Sequence, residues 1–141
     1  MNHRAARAAL AGAAAAGAWA LAEPSLRRIT GGYHSQERLV GGIVAPRGRW
    51  KAAGIGIHLV NGAMFGVAFE RLGMAGAGQG VLAAEAENVL LWPLTGVLDR
   101  LHPDVRAGRW PPLARNPHAF AQEVLGHAVF GAVLGALGPR P

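Results

Sequence analysis

The chain has 141 residues, 51% of them apolar and only 16% charged, against about 25% charged in ordinary soluble domains, so it reads as one unit, residues 1–141, of unusual solvent preference. It contains no cysteine, which excludes disulfides, zinc–thiolate centres and thiol catalysis. The net charge of +6 comes from 13 Arg and one Lys set between apolar stretches, a placement that suits anionic lipid headgroups and not nucleic acid.

Four apolar stretches, 5–22, 52–69, 80–98 and 119–138, are 18 to 20 residues long. As helices rising about 1.5 Å per residue, they reach across the hydrocarbon core of a bilayer. Mean hydropathy is only +0.21 because the apolar residues are largely Ala and Gly. Glycine costs a helix about 1 kcal/mol relative to Ala, which makes 21 of them a poor choice for a bundle in water. Between helices in lipid the same small residues let backbones approach closely.

The first stretch also resembles a signal peptide. His3, Arg4 and Arg7 precede an Ala-rich run, and Ala20-Leu21-Ala22 has the small-x-small form of a cleavage site. Gly12, Ala16, Trp19 and Glu23 share one helical face, which favours a retained helix, ending at Pro24. A basic loop, 24–51, follows with Arg27, Arg28, Arg38, Arg47, Arg49 and Lys51, and glycine pairs bracket a short interfacial helix expected over 33–40. Trp50 opens the second helix as an interfacial aromatic. That helix contains Gly62 and Gly66, and the fourth contains Gly131 and Gly135, both at the spacing of close helix contacts. A glycine-rich turn leads to the third helix, which Pro93 is expected to kink or break after Trp92. A second basic loop, 99–116, ends in Asn116-Pro117, an N-cap and first-turn proline for the fourth helix.

Ten of the basic side chains fall in the two long loops and four at the other side. The positive-inside rule therefore places loops 24–51 and 99–116 in the cytoplasm and both termini outside, in a multi-pass plasma-membrane protein. Ala63-Met64-Phe65-Gly66 and Leu72-Gly73 recur as Ala128-Val129-Phe130-Gly131 and Leu137-Gly138 at an offset of 65. A duplication of that kind makes two parallel helix–loop–helix repeats, related by an axis along the membrane normal.

An ionisable group at membrane depth costs at least about 2.5 kcal/mol, so such groups face protein or water and have partners. Glu85, Asn88, Trp92, Thr95 and Asp99 form one stripe on the third helix, with Glu87 about 160° round from Glu85. The second helix carries His58 and Asn61 on one face, and the fourth pairs Glu123 with His127 one turn apart. With Glu23 at the surface, these residues are expected at successive depths, forming an interior polar seam of Glu23, His58, Asn61, Glu85, Asn88, Glu123 and His127. Carboxylates beside imidazoles can pass protons or hold a cation. They also serve as plain interhelical hydrogen bonds where small residues offer little interdigitation. No nucleophile–base set or phosphate-binding loop occurs, so no catalytic residue and no cofactor is assigned.

The runs Ala22-Glu23-Pro24, His58-Leu59-Val60-Asn61-Gly62, Glu87-Asn88 through Leu91-Trp92-Pro93, Asp99-Arg100-Leu101-His102-Pro103-Asp104 and Glu123-Val124-Leu125-Gly126-His127 resemble a family of small, uncharacterised four-helix integral membrane proteins of high-GC bacteria. The resemblance implies a membrane location and adds no chemistry.

The sequence therefore reads as all-α: a bundle of four transmembrane helices in the lipid bilayer that conducts or senses protons or small cations, or stabilises a membrane complex, with self-association or a membrane-protein partner expected. Two other readings stay open. One is a membrane-embedded metal-dependent enzyme, its metal ligands unknown; the other is a soluble or peripheral helical bundle.

Overall fold

A computed structural model describes residues 3–45 and 48–139; Arg47 and Arg140, counted among the charges above, lie outside them. The described chain is all-helical. Helix α1 covers His3–Thr30, α2 Gln36–Val44, α3 Trp50–Arg71 and α4 Gly76–Leu91; a 3-10 turn over Trp92–Leu94 leads to α5 (Thr95–Leu101), then α6 (Pro103–Arg106) and α7 (Pro117–Leu137). Four rods, α1, α3, α4 continuing through α5, and α7, are long and apolar enough to cross a membrane.

Glycine determines how the rods pair. Gly12 of α1 lies so close to α3 that a Cβ there would fall on the Gly62 carbonyl, and one on Gly66 would fall on the Ala8 carbonyl. Arg4 at one end of this pair bonds to Glu70 at 2.9 Å, so α1 and α3 run antiparallel. The same device joins α4 to α7: a Cβ on Gly80 would strike the Gly131 carbonyl, and one on Gly135 the carbonyl of Gly76. Gly62, Gly66, Gly131 and Gly135 are thus packing positions, as their spacing predicts. Helix α1 also packs along α7. The ring order is α3, α1, α7, α4, and the ring stays open because α3 and α4, though consecutive, do not pack along their lengths.

The two halves repeat. Each is an antiparallel helix pair with a basic loop and a short helix between its members. Phe65 and Phe130, equivalent at the offset of 65, meet edge to face with ring centres 5.3 Å apart. Equivalent residues meet in this way beside a pseudo-twofold axis between parallel repeats.

Burial is inverted relative to a water-soluble bundle. Glu23, His34, Gln36, Asn88, Gln122, Glu123 and His127 are buried, while Leu21, Val60, Met64, Leu82, Leu90 and Leu137 are exposed. Only 17 to 44% of each apolar window is buried. Such a surface is costly in water at about 25 cal/mol per Å² and costs nothing against lipid tails, so the soluble-bundle reading has no support in the packing.

Two local expectations change. Pro24 does not end the first helix, which continues to Thr30. A proline forfeits its own hydrogen bond to the preceding turn but does not forbid helix beyond it. The added turns are held by buried Leu26, by Thr30 Oγ1 donating to the Leu26 carbonyl at 2.8 Å, and by His118 Nδ1 donating to the Thr30 carbonyl at 2.7 Å. The short helix in the first basic loop starts at Gln36, where Ser35 Oγ caps the Arg38 N–H. It packs backbone-to-backbone on α3 through Gly41 and Gly54. Pro93 does break the third rod, which passes through the 3-10 turn at Trp92–Leu94, and Asn116 caps α7 by accepting from His118 N and Ala119 N.

Candidate functional site

The site is organised around Glu123, a turn and a half into α7 and 7% exposed. The loop between α1 and α2 folds back over it. His34 Nε2 donates to Glu123 Oε1 at 2.6 Å, and Gln36 Nε2 donates to Oε2 at 2.5 Å. Gln122 Nε2 holds the His34 carbonyl at 2.9 Å. The Gln36 N–H donates at 2.8 Å to Glu23, which also lies 3.8 Å from Arg27. Glu23 and Glu123 are thereby joined through Gln36, the first residue of α2.

One turn deeper, His127 Nδ1 donates to the Glu123 carbonyl at 2.8 Å. A neutral imidazole whose Nδ1 carries the proton presents a bare Nε2 acceptor, and this one stands 4.0 Å from Glu87 Oε2. The Trp19 ring lies between the two histidines of the facing helices, 4.6 Å from His127 and 5.2 Å from His58. Its indole edge rests on Gly126, where any side chain would collide. His58 Nε2 donates to the Ala16 carbonyl at 3.1 Å, leaving its other ring nitrogen as an acceptor.

These groups wall a cavity of about 350 Å³ between the helices, lined by His58, Asn61, Asn88, Glu123 and His127 with Trp19. Five of the seven seam residues therefore meet in one chamber, Asn61 being the exposed one, and Glu23 is tied to it through Gln36. Glu85 is not part of it. Its Oε2 accepts a long 3.4 Å bond from Asn88 Nδ2, and among the described residues its other oxygen is buried without a partner. The cavity takes Glu87 instead. Gly80, Ala84 and Asn88 are the buried face of α4, against α7, and Glu85 and Glu87 flank that face on opposite sides.

The polar groups also occupy only one end. Above Asn61 the interior is Phe65, Phe69, Phe130 and Leu134 against Ala8 and Ala11, up to the Arg4–Glu70 ion pair at the far end. Asn61 and Glu70 are nine residues apart, about 14 Å along a helix. Between those two levels the interior of the described residues is taken up by phenylalanine and leucine side chains, so the ionisable levels from Glu23 through Glu123 to His127 lie in the half of the bundle nearer the basic loops.

The basic loops cap the polar end together. Arg38 Nε and Nη2 donate to the two oxygens of Asp104 at 2.5 and 3.0 Å, and Arg109 Nε donates to the same carboxylate at 2.6 Å. The hydrogen bond from Arg38, with Arg109 beside it, holds the Asp104 carboxyl down at about 2, against an ordinary 3.8; the same bond raises Arg38. The Arg38 guanidinium lies over Trp50 and Trp110, 4.9 and 5.9 Å from the ring centres. It faces protein, not the headgroups expected of a loop arginine. His102 stacks on Trp110 at 4.7 Å and donates through Nε2 to the Arg38 carbonyl at 3.0 Å. Tyr33, pushed up to about 12 by burial, donates to the Pro111 carbonyl at 2.8 Å.

Sequence reasoning missed His34, Gln36 and Gln122, and set Glu87 aside. The helix-3 signal was present in the spacing of Gly80, Ala84 and Asn88. For His34 and Gln36, the Ser35 cap places them at a helix start, but nothing local points them inward. No family model matches the chain, and no curated protein or solved structure does so either. Among the described residues, no three His, Asp or Glu side chains are arranged to hold a metal ion, so the metal-enzyme reading has no donor set to build on.

Proposed function

We propose that this is a multi-pass plasma-membrane protein that senses protons, or binds a small cation, in a chamber reached from the side of its basic loops. Loops 24–51 and 99–116 face the cytoplasm in this reading, in keeping with their ten basic residues and with the resemblance to small bacterial membrane proteins. The observation that carries it is Glu123, held by a loop histidine and glutamine and facing His127, Glu87 and His58 across one cavity. Imidazole is the side chain whose ordinary charge change falls between pH 5 and 8. Proton uptake at this cluster changes which partner Glu123 keeps, and so whether the loop over 33–36 stays seated. The apolar far half of the bundle favours sensing over conduction.

Difference infrared spectroscopy of the protein in liposomes tests this, with proton flux measured alongside. The expected result is a histidine-ring band that responds to pH between 5 and 8, accompanied by a change in the hydrogen-bonded carboxyl band that is lost in Glu123→Gln, with no Glu123-dependent flux. Flux abolished by the same substitution would make the protein a conductor; a chamber with no titration in that range would end the reading.

A further inference from the structure

The gap between α3 and α4 does not stop at the chamber. A second cavity, about 520 Å³, continues along the same gap between Phe69 of α3, with Leu72 just past its end, and Leu82, Ala83, Ala86 and Leu90 of α4. Phe65, Glu87 and Leu91 line both cavities, so one continuous cleft joins a polar chamber to an apolar groove at membrane depth. Each part lies in the range of about 300–1,000 Å³ typical of small-molecule sites. The groove walls are apolar side chains only, apart from Glu87 at the junction.

The junction specifies what belongs there. His127 Nδ1 is committed to the Glu123 carbonyl, so Nε2 is an acceptor, and it faces the acceptor oxygens of Glu87 at 4.0 Å. Two facing acceptors cannot satisfy each other. A donor with two protons, about 2.8 Å from each, would subtend roughly 90° between them, which an ammonium or amine accommodates. His58 adds a third acceptor nitrogen at the chamber wall. Glu87 and Glu123 both line the chamber while, among the described residues, no Arg or Lys does, so a carboxylate or phosphate head would meet like charge. We propose that the cleft binds a single-chain amphiphile with a primary amine head, the nitrogen between His127 Nε2 and Glu87 and the chain lying between α3 and α4, admitted sideways from the bilayer. This rests on the chamber being the functional site but not on its proton response.

The test is equilibrium binding of radiolabelled hexadecylamine to the protein in phosphatidylcholine nanodiscs at fixed pH, against empty nanodiscs. One saturable equivalent is expected. Glu87→Gln should weaken binding tenfold or more, and Ala86→Phe, which fills the groove without touching the polar groups, should do the same. Tenfold excess palmitate should not compete. Circular dichroism and monodispersity confirm that each variant is folded. Absence of saturable binding, equal competition by palmitate, wild-type binding by both folded variants, or a second copy of the chain cross-linked across the α3 and α4 faces would each overturn the proposal. Glu123→Gln separates the two readings: amine binding retained with the pH response lost leaves this site standing on its own.

Discussion

The two repeats create two equivalent interfaces, and they differ completely. Between α1 and α7 the Trp19 ring lies flush on Gly126, and the rods close. Between α4 and α3 the equivalent of Gly126 is Asn61, at the offset of 65. Gly80 takes the place of Ala8 against the partner glycine, and eleven residues on, Leu91 takes the place of Trp19. Asn61 and Leu91 do not meet across a sealed contact; they line the chamber. One interface carries a large ring on a bare backbone, the other an amide facing an aliphatic chain. Shape complementarity closes the first, and its absence leaves the second as a cleft.

The comparison breaks most severely at Gly126. Gly126→Leu drives a side chain into the Trp19 ring and should cost about 3 kcal/mol or prevent folding, measured by thermal unfolding in micelles. Glu123→Leu strands the His34 and Gln36 donors in a buried site, at about 2 kcal/mol, whereas Glu123→Gln keeps the shape and one acceptor, donates to Gln36 once that amide turns over, and should unfold near the wild-type temperature. Asp104 tests the cap that holds both interfaces at one end. Its folded-state pKa is depressed, so its contribution is present above about 4 and lost as pH falls towards about 2. Acid unfolding should show that loss, up to about 2 kcal/mol, in the native chain and not in Asp104→Asn. The smallest effect is expected at Asn61→Leu, the counterpart of Gly126→Leu. The cleft has room for it, and stability should change by less than about 1 kcal/mol.

Much of this was legible in the sequence. The four rods follow from length and apolarity, and the glycine pairs from their spacing, because both are local properties. Glu123, His127, His58 and Asn88 were placed together by helical phase and depth. What escaped was set by contacts far apart in sequence. His34 is 89 residues from Glu123, and no periodicity within a loop reveals that it folds inward. Phase established that Glu85 and Glu87 could not share a face but not which one meets the cavity, since that depends on which face of α4 docks on α7. Pro24 reads locally as a stop because the tertiary contacts that hold the helix beyond it, at Leu26 and Thr30, involve residues remote in sequence.

The chain has no cysteine, so single cysteines can be placed at will and probed with a membrane-impermeant thiol reagent added to one side of oriented vesicles. Cysteines at Asn61 and Glu87 should react only from the side of the basic loops, and cysteines at Phe69 and Leu134 from neither side. Reaction at Leu134, or reaction at Asn61 from the side of the termini, would contradict a water-accessible chamber that ends at the apolar far half.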